Sequence, residues 1–339
     1  MNLSTQHTTA AALSVTGLGK AFGDTVVLDG IDLEVPAGTV FALLGPNGAG
    51  KTTTVRILST LITADRGTAR IGGYDLNREA DQVRSVIGVT GQFSAVDNLL
   101  TGEENLILMA DLHHLGRAEG RRRAAELLDR FELAGPARKM AATYSGGMRR
   151  RLDLAMTLVG EPRIIFLDEP TTGLDPRGRR DMWQIIRDLV AGGVTIFLTT
   201  QYLEEADQLA DRIAVLDHGQ LVAQGTPAEL KRLIPGGHIS LRFADAAGLD
   251  AAARLLGELG DGARDDAALT LRVPGDGSVA GLRALLNQLD SVSNAGGPAA
   301  LADLSVHTPD LDDVFLALTG QPQPETGRPQ PASEREVLR

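Results

Sequence analysis

Cysteine is absent from all 339 residues, which excludes disulfides and thiolate metal sites. Long apolar runs are absent too: no window approaches the roughly 18 to 20 consecutive apolar residues that a membrane-crossing helix needs. Met1 to Thr9 is polar and lacks the charged-then-apolar order of an export signal. The chain is therefore expected to be soluble by itself, with any membrane-spanning part on another chain. Positive charge is in deficit, with 33 lysines and arginines against 44 acids and a formal net charge of −11. Binding to a phosphate backbone leaves a basic footprint, so nucleic acid is not expected as a partner. Hydrophobic residues make up 43% of the chain, enough for ordinary cores in one large domain or two.

Composition divides the chain into four stretches. Residues 1–11 form a polar lead-in expected to fray. From 12 to 234, short β-branched apolar runs alternate with amphipathic stretches, the pattern of an α/β domain. Val40 to Leu44, Ile164 to Leu167, Val194 to Leu198 and Ile213 to Leu216 read as buried strands. Within this domain Thr101 to Leu133 is rich in helix formers, and Thr101-Gly-Glu-Glu104 reads as a capping box at its entrance. Residues of about 93–160 are thus expected to form a helical subdomain. Residues 235–320 read as a small α+β domain, with strands at His238 to Phe243, Ala268 to Val273 and Leu301 to His307. Residues 321–339, rich in Pro, Glu and Arg, are expected to be disordered.

Three motifs carry chemistry. Gly45, Pro46, Asn47, Gly48, Ala49, Gly50, Lys51 and Thr52 fit G-x-x-x-x-G-K-[ST] between an apolar strand and a helical stretch that begins at Thr53. The glycines let the backbone wrap with its N–H groups inward, and the helix start adds positive potential. Lys51 would reach the β- and γ-phosphates of a nucleotide, and the Thr52 hydroxyl would bind Mg²⁺. Ile164 to Leu167 runs into Asp168 and Glu169. Strand alternation predicts that these two point to opposite sides and divide the work. Asp168 suits a Mg²⁺ shell and Glu169 a general base. By itself the pair also reads as a strand running into an acidic helix cap. Ser145-Gly146-Gly147 at a helix start forms a second phosphate-binding nest or, taken alone, a simple capping turn.

Taken in order, these motifs resemble the ATP-binding-cassette family of ATPases. The glutamine-loop position is Gln92, and a D-loop follows the acidic strand at Gly173-Leu174-Asp175-Pro176. Phe22 matches the family's adenine-stacking aromatic. The resemblance implies an α/β P-loop fold in which a mixed sheet core carries an antiparallel β subdomain and a helical insertion. It implies ATP and Mg²⁺ as ligands, with Gln92 joining Thr52 and Asp168 at the metal. It also implies a head-to-tail pair of copies, in which Ser145 to Gly147 of one covers the γ-phosphate held by Lys51 of the other, and Asp175 contacts across the pair. The partner implied beyond the second copy is an integral membrane permease, which places this chain peripherally on the cytoplasmic side of the cell membrane. Phe93 to Leu100 resembles the surface where a permease docks, although Phe93, Leu99 and Leu100 read equally as subdomain core.

One position departs from the family. Thr199-Thr-Gln-Tyr-Leu-Glu-Glu205 puts Gln201 where the resemblance calls for a histidine at the γ-phosphate. An amide donates a hydrogen bond with similar reach but cannot shuttle a proton. Thr143 to Asp153, Thr199 to Arg212 and Leu311 to Gly320 further resemble the daunorubicin/doxorubicin-resistance type of ATP-binding protein, which implies export of a drug or hydrophobic metabolite. A soluble cassette protein acting on ribosomes or DNA is the alternative. It sits poorly with a single cassette, no extended heptads and the acidic balance.

Overall fold

The computed structural model describes residues 11–91, 95–234, 237–256, 264–275, 279–293, 301–307 and 309–320. The expectations for Gln92, Phe93, the lead-in before residue 11 and the tail after residue 320 lie outside the described residues. The chain divides into two compact units, Met1–Pro227 and Ala228–Arg339.

The first unit opens with β1 (Ala11–Phe22) and β2 (Thr25–Pro36), two long antiparallel strands whose inward positions alternate with exposed ones. Next come β3 (Val40–Leu44), wholly buried, and α1 (Lys51–Leu58). β4 (Arg66–Ile71) and β5 (Tyr74–Asp75) complete an antiparallel sheet of order β2-β1-β4-β5. α2 (Ala80–Val86) and β6 (Ile87–Thr90) return the chain to the central layer. The insertion then supplies α3 (Gly102–Leu112), α4 (Arg117–Arg130) and α5 (Gly146–Thr157). The predicted capping box is present: Glu104 N–H donates to Thr101 Oγ1 at 3.2 Å, and Thr101 N–H donates to Glu104 Oε2 at 2.8 Å. The rest of the unit is β7 (Ile164–Asp168), α6 (Pro176–Ala191), β8 (Thr195–Thr200), α7 (Leu203–Leu209), β9 (Arg212–Asp217) and β10 (Gln220–Gly225). The short α8 (Pro227–Lys231) stands at the division between units.

The central sheet has the order β10-β9-β3-β8-β7-β6, parallel except for the antiparallel edge strand β10. A row of phenylalanines sets its register. Phe41 pairs with Phe197 across β3 and β8, and Phe166 pairs with Phe197 across β7 and β8. Their ring centroids lie 5.4 and 5.5 Å apart, and all three side chains are fully buried. A slip of one residue would turn the row to the opposite face of the sheet, so the register is strongly specified. It also brings the carboxyl ends of three strands level, with Leu44 beside Thr200 and Asp168 beside Thr199. In open α/β sheets ligands bind at that edge.

The second unit has β11 (His238–Phe243), α9 (Ala246–Leu256), β12 (Arg264–Asp265), β13 (Thr270–Pro274), α10 (Val279–Ser293), β14 (Leu301–His307) and α11 (Leu311–Thr319). Its sheet, of order β12-β13-β11-β14, is antiparallel and packs Ile239, Leu241, Phe243 and Leu271 against Leu249 of α9 and Leu285 and Leu289 of α10. The two-residue β12 carries no periodic signal and is absent from the sequence reading. Among the described residues no helix is long and apolar enough to cross a membrane.

Candidate functional site

The loop between β3 and α1 is built by close backbone approach. A Cβ on Gly45 would stand 2.3 Å from the Leu216 carbonyl oxygen, so a side chain there would push the loop off β9. Gly50 caps α1 at φ 109°, a left-handed conformation that an L side chain resists. No side chain caps the helix start, and its first turn holds no acid. The first N–H groups of α1 and its positive end are therefore left to an anion.

Lys51 and Thr52, the first two residues of α1, face the two acids at the end of β7. Lys51 is buried, and its ammonium donates to the carbonyls of Gly45 (2.8 Å) and Pro46 (3.0 Å), with Glu169 Oε1 at 3.7 Å. Burial holds its pKa below the ordinary lysine range, while the charges of Glu169 and Asp168 act in the opposite sense. The Thr52 hydroxyl lies 3.3 Å from Asp168 Oδ1, which also accepts a 2.5 Å bond from the Thr199 hydroxyl. These are hard oxygen donors beside a phosphate loop, a set that fits Mg²⁺ completed by phosphate oxygens and water.

The strand-alternation expectation for the acidic pair is corrected here. β7 ends at Asp168, and Glu169 turns to φ 50°, where alternation no longer applies. Both carboxylates consequently reach the phosphate loop, Asp168 toward Thr52 and Glu169 toward Lys51. A left-handed non-glycine residue costs about 1–3 kcal/mol and persists only where its surroundings over-determine it. Here Glu169 N–H donates to both the carbonyl and the hydroxyl of Thr199 at 3.1 Å, and Glu169 Oε2 accepts from Thr172 at 3.2 Å.

The other sequence-predicted residues lie around this cluster or apart from it. Gln201 is half-buried, just beyond the end of β8. Phe22 ends β1 and is 49% exposed, with the Lys20 ammonium 5.4 Å from its ring centroid, which leaves one aromatic surface open to stacking. Ser145 caps α5 through a 3.2 Å bond from Met148 N–H. Ser145 and Gly146 are exposed, and a Cβ on Gly146 or Gly147 would meet nothing within 4 Å. The turn is thus an open surface feature. Asp175 caps α6 by accepting from Gly178 N–H at 2.7 Å, and it too is exposed.

Sequence reasoning missed Thr199, whose hydroxyl joins Asp168 to the Glu169 backbone, and Arg150, which lies under the same turn. Thr199 immediately precedes the Thr200-Gln201 pair, and that position was its available signal. Nothing in the arginine run 149–151 distinguishes the middle residue.

Residues 28–172 match the ABC transporter family. The chain is 48% identical over 339 residues to the daunorubicin/doxorubicin resistance ATP-binding protein DrrA of Streptomyces peucetius, covering 99% of this chain and 100% of that one. It is 51% identical to the daunorubicin resistance ATP-binding protein DrrA3 of Streptomyces coeruleorubidus, covering 91% of this chain and 96% of that protein. Identity to the Nod factor export ATP-binding protein I of Ralstonia nicotianae is 44%, over 64% of this chain and 68% of that one. Among solved structures, an ATP-binding subunit of an ABC transporter matches with a TM-score of 0.59 and 31% identity, over 66% of this chain and 92% of that one. The ADP form of another ATP-binding cassette shares the fold at a TM-score of 0.60 and 24% identity, over 65% and 93% of the two chains.

Proposed function

The chain belongs to the ABC transporter family as an ATP-hydrolysing subunit, and from that premise we propose that it energises efflux of a drug or hydrophobic metabolite through a separate membrane permease. The observation that carries this reading is the meeting of Lys51, Thr52, Asp168 and Glu169 at one sheet edge, in a chain similar over almost its whole length to drug-resistance ATP-binding proteins. In this reading residues 12–234 handle ATP. Phe22 stacks on adenine, the Gly45–Thr53 backbone cradles the phosphates, and Lys51 neutralises their charge. Thr52, Asp168 and Gln92 hold Mg²⁺, which when bound draws charge from the phosphate oxygens. Glu169, held beside the loop by Thr172, takes the proton of the attacking water.

The open Ser145–Gly147 turn suits the γ-phosphate of a second copy, with Asp175 at the junction. Two copies in head-to-tail order then close over two ATP molecules on the cytoplasmic side of the cell membrane. Cofractionation from native membranes tests this function. The expected result is copurification with an integral membrane protein and ATP-dependent uptake of an anthracycline into inverted vesicles that hold both chains. Recovery with ribosomes and no vesicle uptake would favour the non-transport alternative.

Gln201 stands at the switch position as a donor without a titrating proton. Gln201→Ala is expected to slow turnover about 10- to 100-fold, the loss of one hydrogen bond to a charged group. Gln201→His, which restores a donor of similar reach, should preserve it. Steady-state hydrolysis at saturating ATP reads both, and a wild-type rate in the alanine variant would make Gln201 a bystander.

A further inference from the structure

Under the acidic turn lies a guanidinium that the proposed function leaves without a task. Arg150 sits on α5, five residues beyond Ser145, and is 13% exposed. Its Nε donates to the Pro170 carbonyl at 3.0 Å, and its Nη1 donates to the Gly91 carbonyl at 3.0 Å. Nη2 reaches the carbonyls of Asp168 at 3.3 Å and Glu169 at 3.5 Å. Asp153, one turn further along α5, meets Nη1 at 3.4 Å and is itself buried. Glu205, fully buried and hydrogen-bonded by the Trp183 indole at 3.2 Å, adds a second carboxylate to the surroundings. Burial acts against the Arg150 charge, and Asp153, Asp168 and Glu205 act to keep it.

The arrangement resembles a clamp more than an ion pair. One rigid planar fork gathers carbonyls from three consecutive residues, 168 to 170, and those residues contain the left-handed Glu169. Peptide groups tied on both sides of a strained residue cannot relax toward an ordinary conformation without breaking bonds to a buried charge. The same side chain holds Gly91, the first residue after β6. It is also rooted in the helix whose start presents the Ser145–Gly147 turn.

We propose that Arg150 is a positioning residue for hydrolysis: it locks the Asp168–Pro170 backbone in the turn that aims Glu169, and ties that turn to the helix that presents Ser145. The proposal rests on the reading of Glu169 as the base. In a head-to-tail pair those two features serve different nucleotides, so Arg150 is also a rigid link between the two ATP sites within each copy.

The full-length chain carrying Arg150→Lys or Arg150→Gln tests this. Lysine keeps the charge near Asp153 and Glu205, but a single ammonium cannot span carbonyls that lie on both sides of the fork. Glutamine removes the charge, which threatens folding, so the lysine variant carries the test if the glutamine variant does not fold. The expected result is a fall in kcat of about 100-fold, the scale of a small misplacement of a catalytic group. KM and the ATP Kd should stay within about threefold of wild type, a split that general loosening of the fold would not produce. In a Glu169→Gln background, Arg150→Lys should lower the residual rate no further, because residues acting as one unit are not additive. A kcat within about twofold of wild type, a joint loss of ATP affinity and kcat, or multiplied penalties in the double variant would each overturn the proposal. Glu169→Gln alone, in the same assay, separates the two ideas. A wild-type rate there sinks the assignment of the base, whereas a lost rate with an unaffected Arg150→Lys sinks only the clamp.

Discussion

Glu169→Gln is expected to lower ATP turnover by about a thousandfold, within the range for removal of a general base, while ATP binding survives. Glutamine matches the carboxylate in size and can still accept from Thr172, so the turn beyond β7 has no reason to rearrange. It cannot take a proton from water. Its neutrality also removes a negative charge 3.7 Å from the Lys51 ammonium, one competitor of the phosphates for that cation. ATP affinity should therefore equal or exceed that of wild type, and bound ATP should persist. Because hydrolysis is what would reopen a pair held by two shared triphosphates, the variant should accumulate as a dimer in ATP and return to monomer in ADP. Light scattering on a size-exclusion column, with single-turnover hydrolysis measured in parallel, checks both halves. A trapped, ATP-loaded variant that stayed monomeric in the presence of its membrane partner would remove the basis for two half-sites.

Lys51→Ala is expected to fail one step earlier, at binding. The ammonium would make two charge-assisted contacts with the β- and γ-phosphates, each worth about 1.5–3 kcal/mol. Their loss should weaken the ATP Kd by about 100-fold or more. The fold should tolerate the change. Lys51 is a buried cation whose pKa burial already depresses, so its charge is a burden on the folded state rather than a support for it. The buried Gly45 carbonyl and the half-buried Pro46 carbonyl each lose a donor. Fluorescent-nucleotide titration alongside far-UV circular dichroism would read the result. An ordinary spectrum with a Kd within threefold of wild type would refute the role given to Lys51. The two variants separate binding from chemistry, since one is expected to bind without turning over and the other to do neither.

Much of the site is legible because its parts are local. A phosphate loop requires glycines, a lysine and a hydroxyl at fixed spacing between a strand and a helix, and each requirement is written within residues 45–52. The capping box at Thr101 is equally local and is present as read. Asp168 and Glu169 are legible as a pair, but their directions are not. Alternation along a strand is a sound rule only while the strand lasts, and β7 stops between them. The three arginines 121–123 on α4 show the same limit on a helix. Arg122 is exposed between Glu119 and Glu126, as a solvated face would have it. Arg123 is only 18% exposed, reaching Glu161. Which face of a helix is wet depends on what packs against it.

The sequence alone determined the family, the cassette with its ordered motifs, and the absence of an apolar run long enough to span a membrane. All of these follow from residue identity and from spacing along the chain. The tertiary structure decided which groups meet. It set Thr199 between Asp168 and the Glu169 backbone, turned Glu169 toward Lys51, and seated Arg150 beneath the turn that holds both acids. Such meetings join residues far apart in the chain, 116 positions in the case of Thr52 and Asp168. They depend on a sheet register set by buried phenylalanines on three separate strands. Packing across such distances is a property of the whole core, and no single segment encodes it.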